Sequence, residues 1–385
     1  MTWTYIAQRV NGEFLDWDLP ITVSDLSWQL SGPGSLRGTA APDTGGLRAA
    51  DGRLVLEEWG TFIYAEADGE IRWGGIVISS SFEGENWNIE AAGFSTYPHG
   101  IPYLGEFNRI GVDPTDAMKE IWRHVQSYPD GNLGLAVNGG PTPVRLGTPG
   151  GLVAEDGSIV PLDFYGPTIP ENAEKKDPDP YLLAWYEAPD CGTEIDNLAK
   201  ATPFDYVESH AWLNGGTEEI EHRVDILYPR AGRRREDLAF IQGDNISNVV
   251  SFESNGDEYA NEINGLGAGE GPTTLRRTTA KRDGRLRRAA VYSDKAINDA
   301  PRLDAIIADE LELRRGLLQI TSVDVADHPN APIGSWAVGD DILIRCEVPW
   351  LGYVETWCRI IGWSLTSEST ATLDLARSDS FRYGG

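Results

Sequence analysis

Five histidines, three cysteines and 60 carboxylates are the side chains with which this 385-residue chain would do chemistry. The histidines are His99, His124, His210, His222 and His328. No two of them have the spacing of metal ligands on one helix or loop. His210 and His222 fall on two strand-like runs around Asn214-Gly215-Gly216. A hairpin there would bring them together, but no third ligand for a zinc ion suggests itself. Cys191, Cys346 and Cys358 form no CxxC and no zinc spacing. Cys346 and Cys358 lie on the two arms of one expected hairpin. They read as reduced core thiols made in a reducing compartment. The chain holds no GxxxxGK[ST], GxSxG or HExxH. Gly267-x-Gly269-x-Gly271 has the spacing of a phosphate loop, but Pro272 and a strand-like run follow it instead of a helix, so it reads as a turn. A glycosidase needs two carboxylates held a few ångströms apart, often beside tryptophans. Sixty acids and 13 tryptophans make some such pair inevitable, and nothing singles one out. No catalytic residue, cofactor or metal site is expected. A β-rich carbohydrate-binding or carbohydrate-hydrolysing protein stands as the alternative function.

Charge is more informative. The net charge of −28 repels nucleic acid at long range. Eleven carboxylates lie between Glu155 and Asp196, against Lys175 and Lys176. They lack the D-x-[DN]-x-[DN]-G spacing of a calcium loop and read as a solvated acidic loop. On this acidic background, Arg276, Arg277, Lys281, Arg282, Arg285, Arg287 and Arg288 crowd one expected hairpin. Arg230, Arg233, Arg234 and Arg235 form a second group, and the two groups hold 11 of the 32 Lys and Arg. Stacking of nucleic-acid bases would need interleaved aromatics, and only Tyr292 is near. Segregated charge of this kind points to a protein contact with an acidic partner, a second copy included.

The elements that position these residues are mainly strands. Leu54–Gly93 reads as a β-meander, with Asp68-Gly69 as its first turn. Displaced by 284 positions, Ile76-Val77 falls on Ile360-Ile361, Ile89 on Leu373 and Ala92 on Ala376. The echo predicts a second meander over Ile342–Val348, Val354–Trp363 and Thr372–Ala376, hence a duplicated module. Asp113-Pro114 opens a helix whose apolar face is Ala117, Ile121, Trp122 and Val125. Residues 131–180, dense in Gly and Pro, predict an extended excursion. Thr193–Lys200 reads as a short helix, Phe204–Leu213 and Ile220–Tyr228 as a hairpin, and Pro301–Arg315 as a helix. Four segments result: a first β-barrel (1–100), an α/β domain (101–240), a second β-barrel with one helix (241–377) and a tail (378–385). Met1–Leu15 lacks the pattern of a signal peptide. No apolar run approaches the roughly 18 residues of a membrane span.

The order of these features resembles the tail hub, or baseplate hub, proteins of long-tailed bacteriophages, often called minor tail proteins in phages of actinobacteria. The likeness is carried by the Trp3–Val10 and Leu26–Arg37 strands, Arg72-Trp73-Gly74-Gly75-Ile76-Val77, Tyr228-Pro229-Arg230-Ala231-Gly232, the Asn261–Gly271 glycine turn, and the Leu303–Arg315 helix before the final meander. It implies a mainly β, α+β fold with two similar small β-barrels flanking a smaller α/β domain. It also implies a homotrimeric ring at the tail tip of a virion, made in the cytoplasm of a bacterial host. Six barrels in such a trimer would match the sixfold tail tube. The other partners implied are the distal tail or tube protein and tip or fibre proteins, with phage DNA passing through an acidic lumen.

Overall fold

Strands make up 50% of the chain and helices 14%, so the fold is mainly β as expected. The structure, a computed structural model, describes residues 3–40, 48–49, 51–153, 159–160, 175–202, 204–216, 218–248, 250, 252–254, 256–257, 259–269, 271–294, 297, 300–315, 318–349 and 351–378. Glu155, Asp156, Asp163, Glu171 and Glu174 of the acidic stretch lie outside them.

One twelve-stranded sheet takes strands from both ends of the chain. Its path runs Arg234–Ile241, Asp341–Val348, Gly352–Ser367, Ile21–Gln29, Ser35–Ala40, Asn86–Ala92, Glu70–Glu83, Thr61–Ala67, Trp3–Arg9 and Phe14–Asp16. Thr370–Arg377 and Ser322–Ala326 branch from Gly352–Ser367. Among the described residues no sheet closes into a barrel.

Both expected meanders are present. Asp68 and Gly69 adopt φ of 55° and 84°, the left-handed pair that a two-residue hairpin turn demands. In each meander the long middle strand holds its neighbours on successive halves. Glu70–Ile76 pairs with Thr61–Ala67 on one side, and Ile76–Glu83 pairs with Asn86–Ala92 on the other. Likewise Gly352–Arg359 pairs with Asp341–Val348, and Cys358–Ser367 with Thr370–Arg377. A bulge follows Val77 in the first copy and Ile360 in the second, one residue from the 284-position offset.

The likeness extends outward by two strands. In the N-terminal unit Asn86–Ala92 pairs with Ser35–Ala40, which pairs with Ile21–Gln29. In the C-terminal unit Thr370–Arg377 pairs with Ser322–Ala326. Beyond that, the bridge Ile246↔Val325 and the antiparallel pair Phe252–Ser254 with Leu318–Ile320 take the outer place.

Among the described residues there are three α-helices, of which the first two pack beside this frame. In α1 (Pro114–Gln126), Asp113 caps as expected: its Oδ1 accepts from the Thr115 N–H at 2.9 Å, with Pro114 in the first turn. The buried face of α1 is Ala117, Met118, Ile121, Trp122 and Val125. Helix α2 (Cys191–Ala201) begins two residues earlier than the sequence pattern suggested, because Asp190 caps it through Thr193. Leu135–Gly139, inside the expected excursion, is a strand running parallel to Ile220–Leu227. The alternation of Leu135 and Val137 with Ala136 and Asn138 carries it. One core joins Ile6, Phe62, Tyr64, Ile76 and Phe94 of the N-terminal sheet to α1, α2, Tyr206, Val224 and Ile226.

Helix α3 (Ala300–Arg315) packs Leu303, Ile307 and Leu311 on a separate three-stranded sheet through Ala260, Ile263 and Ile297. Here the expected hairpin is not formed. Arg276–Ala280 and Ala289–Ser293 pair with opposite edges of Glu262–Leu266, the second of them in parallel. Asn261, fully buried, holds this crossover. Its side chain donates to the Leu286 carbonyl at 3.1 Å and accepts from the Arg288 N–H at 2.9 Å. Asp283-Gly284 therefore turns within a crossing loop instead of joining two paired strands.

Candidate functional site

The sheet binds the two β units through one short seam. Leu26–Gln29 pairs antiparallel with Gly362–Leu365, placing Trp28 opposite Trp363. The two indoles stack with centroids 3.9 Å apart and 5° between planes. Trp3 flanks Trp28 and Trp336 flanks Trp363, so the seam lies inside a row of four tryptophans. The Trp28 Nε1–H donates to the Arg72 carbonyl at 2.9 Å, which satisfies its polar edge. Trp28 packs against the cores of both units. The composition announced strand-rich structure, but the pairing of these two tryptophans lies 335 positions apart in sequence (28 to 363) and has no local signal.

A buried ionic joint ties the α/β layer to the C-terminal unit. Arg359 has no exposed surface. Its Nη2–H donates to Asp205 Oδ2 at 2.5 Å and to the Ala231 carbonyl at 2.9 Å, and its Nε–H donates to the Gly339 carbonyl at 3.2 Å. Asp205 also accepts from the Ala231 N–H at 2.7 Å. Gly232 and Gly339, both at positive φ, let the two backbones touch: a Cβ on Gly232 would stand 2.1 Å from the Gly339 carbonyl carbon. Charged side chains are buried only when paired and hydrogen-bonded, as here. The lone arginine in Cys358-Arg359-Ile360-Ile361 is the sequence signal that could have found this joint.

Part of the second expected basic group belongs to the same joint, while Arg233 and Arg234 are exposed. Arg235 is buried; it donates to Asp340 at 3.1 Å and to Asp237 at 2.9 Å and 2.7 Å. Its guanidinium is held well above the usual arginine range by the Asp237 hydrogen bonds. Arg234 lies 4.4 Å from the Trp357 ring centroid, and Arg230 pairs with buried Asp341 at 3.0 Å. The Arg233 N–H donates to Asp340 Oδ1 at 2.9 Å.

The first basic group stands on the separate sheet with α3. Arg277 grips Asp304 through two hydrogen bonds, Lys281 reaches Glu312 at 2.9 Å, and Arg287 reaches Glu262 at 2.8 and 2.5 Å. The Arg287 contacts pull the Glu262 carboxyl down to about 2. Arg282 lies 3.9 Å from Glu262, and Arg285 sits over the Tyr259 ring. Arg276 donates to Asn264 at 3.4 Å. The Arg288 backbone bonds to Asn261. Residues 259–315 carry 11 Lys and Arg and 9 Asp and Glu, a net of +2, against 21 and 51, a net of −30, for the rest of the chain.

The histidine pair expected across the hairpin is formed. His210 and His222 are directly opposite, with Nδ1 atoms 3.3 Å apart. Gln8 donates from Nε2 to the Gly12 carbonyl, so its Oε1 is the acceptor for the Tyr64 hydroxyl at 3.0 Å. Tyr64 oxygen then accepts from His222 Nε2–H at 3.3 Å, which leaves His222 Nδ1 to accept from His210 Nδ1–H. His222, donating from Nε2 and accepting at Nδ1, is therefore neutral. Burial pushes His210 down to about 3, with His222 adding to it, and burial alone pushes His222 down to about 4. Glu208 Oε2 lies 4.0 Å from His210 Nε2, and its two oxygens accept from the Phe94 and Ser95 N–H groups. No group of three or more metal-ligating side chains occurs among the described residues. Cys346 and Cys358 lie on one hairpin but oppose Val354 and Ile342, not each other, and all three cysteines are buried.

No protein-family model matches the chain, and no curated protein matches it. Solved structures do. The 43 kDa tail protein of prophage MuSo2 from Shewanella oneidensis matches with a TM-score of 0.56 at 12% identity, over 98% of this chain and 99% of that one. A tail protein from Neisseria meningitidis MC58 matches with a TM-score of 0.54 at 12% identity, over 98% and 97%. The prophage tail protein gp18 of Listeria monocytogenes EGD-e matches with a TM-score of 0.53 at 11% identity, over 97% and 95%. At such identities the shared property is the fold, and it is shared end to end. No helix among the described residues is long and apolar enough to cross a membrane.

Proposed function

We propose that this chain is a structural hub protein of a bacteriophage tail tip. In this reading three copies form a pseudo-sixfold ring that joins the sixfold tail tube or distal tail to the tip and surrounds the DNA exit channel. Its work is geometric and needs no catalytic step. The observation that carries the reading is the end-to-end fold shared with three tail proteins, two of them from prophages. The repeated five-strand array supports it, because two similar units per chain supply six around a threefold axis. The acidic remainder of the chain suits a channel wall past which DNA must slide without sticking. Arg276, Arg277, Lys281, Arg282, Arg285, Arg287 and Arg288 serve as a contact for acidic neighbours.

Light scattering over a range of concentration and at two salt levels tests the ring. A 42.2 kDa chain should give a species of roughly 127 kDa, as closed threefold symmetry requires. A single-chain mass under all conditions overturns self-assembly. Arg285→Glu with Arg287→Glu should weaken assembly and leave the monomer folded; unchanged assembly removes the basic sheet from the contact.

A further inference from the structure

The intrachain seam has a vacant counterpart. In the C-terminal unit a tight turn precedes the first meander strand, and its Gly339 N–H donates to the Ile360 carbonyl at 2.7 Å. Directly beyond that point the edge of the middle strand is taken: the Leu30 N–H donates to the Ile361 carbonyl at 2.9 Å, and Gly362–Leu365 pairs with Leu26–Gln29. The N-terminal unit repeats the first half of this arrangement. Its turn before Thr61 sends the Trp59 N–H to the Val77 carbonyl at 2.7 Å. Aligned on these bonds and on the bulges that follow Val77 and Ile360, the positions equivalent to Gly362–Leu365 are Ser79–Phe82. On that side they carry no strand among the described residues; their one ladder is with Asn86–Ala92 on the other edge. Ser79 and Ser81 are exposed. Two large apolar side chains stand at the ends of this edge, Trp59 51% exposed and Phe82 71% exposed.

The piece that would fill the edge is present at the other end of the chain. Ser27–Gln29 is the outer strand of the N-terminal array, and Phe252–Ser254 holds the same outer place in the C-terminal array. Counted through the paired strands, Ser27 corresponds to Phe252, Trp28 to residue 253 and Gln29 to residue 254. Among the described residues Phe252–Ser254 pairs only with Leu318–Ile320, which leaves its second edge open. Unpaired strand edges are templates for another chain.

We infer that Phe252–Ser254 of one copy pairs antiparallel with Ser79–Ser81 of a second copy, repeating between chains the seam that joins the two units within each chain. Carrying the intrachain register across sets Ser79 opposite Ser254, Ser80 opposite Glu253 and Ser81 opposite Phe252. The contact is head-to-tail, so each copy donates one edge and receives one, and a fixed rotation closes it into a ring. It rests on the ring reading above and names the surfaces through which that ring closes. The new seam lacks the stacked tryptophans of the internal one, so it is the weaker joint, and copies separate there before a chain comes apart.

The test uses the full-length chain carrying both Ser79→Cys and Ser254→Cys. Opposed residues of an antiparallel pair have Cα atoms about 4.5–5.5 Å apart, within disulfide reach. The native cysteines are buried and do not compete. Oxidation should give a covalent ladder ending at a closed species. A mixture of the Ser79→Cys and Ser254→Cys single variants should stop at covalent dimers. A second variant, Ser79→Lys with Ser81→Lys, charges the edge and should weaken association at least tenfold with monomer melting unchanged. If the oligomer forms, but neither this pair nor Ser80→Cys with Glu253→Cys cross-links and the lysines leave association unchanged, the seam is wrong while the ring reading stands. A single-chain mass at every concentration, without cross-links, overturns both.

Discussion

Two arginine–aspartate pairs in this molecule have similar geometry and different consequences. Arg359 holds Asp205 with no exposed side-chain surface on the arginine and 7% on the aspartate. Arg277 holds Asp304 with 46% and 43% exposed. Water screens the second pair and would solvate either partner alone, so the pair adds little. Arg359 and Asp205 are both cut off from water, and each depends on the other and on the Ala231 and Gly339 backbones. The same chemistry is a structural joint in one place and surface charge in the other. The surrounding packing, not the residue types, makes the difference.

Arg359→Met should break the comparison on its buried side with the largest effect. It leaves Asp205 charged and buried, at a cost of about 3–5 kcal/mol, read as a lowered denaturation midpoint. Adding Asp205→Asn should recover part of the loss, because no unpaired charge remains. Failure of the second change to help would mean that the arginine acts through shape alone.

Acid sharpens the same contrast. His210 and His222 are neutral when folded and charge near pH 6.5 when unfolded, so the stability of the neutral pair is complete above that pH. It is lost as pH falls from about 6.5 toward about 4 and 3. At pH 5.5 the loss is on the order of 1 kcal/mol for each ring. Glu208 acts in the opposite direction, since burial raises its carboxyl and its folded form takes up a proton first. The difference in pH slope between the native chain and a His210→Gln, His222→Gln variant therefore isolates the histidines. Equal slopes from pH 7 to 5 would show that the rings are not held neutral.

The smallest effect belongs to the exposed pair. Arg277→Met should leave the melting temperature within about 2 °C of the native value. A larger drop would move Arg277 from surface charge to structural joint.

Much of the local structure was legible. Asp113-Pro114 marked the start of α1, Asp68-Gly69 marked the first meander turn, and the 284-position echo located the second meander because strand alternation and turn residues act over a few neighbours. The approach of His210 to His222 followed from a short hairpin. The strands around Asp283-Gly284 were misread because the same turn signal serves a crossing loop. Only the placement of Glu262–Leu266 between them, with Asn261 holding the loop, distinguishes the two.

What the sequence determined by itself is therefore a mainly β chain with two related meanders, three helices and a basic patch on an acidic background. Those features depend on side-chain type and spacing within one element or one turn. The tertiary structure alone decided that Trp28 meets Trp363, that Arg359 is sealed against Asp205, and that Arg235 lies inside a joint while Arg277 lies outside. Each depends on where distant backbones pass one another, and that is set by how the whole sheet buries its apolar faces.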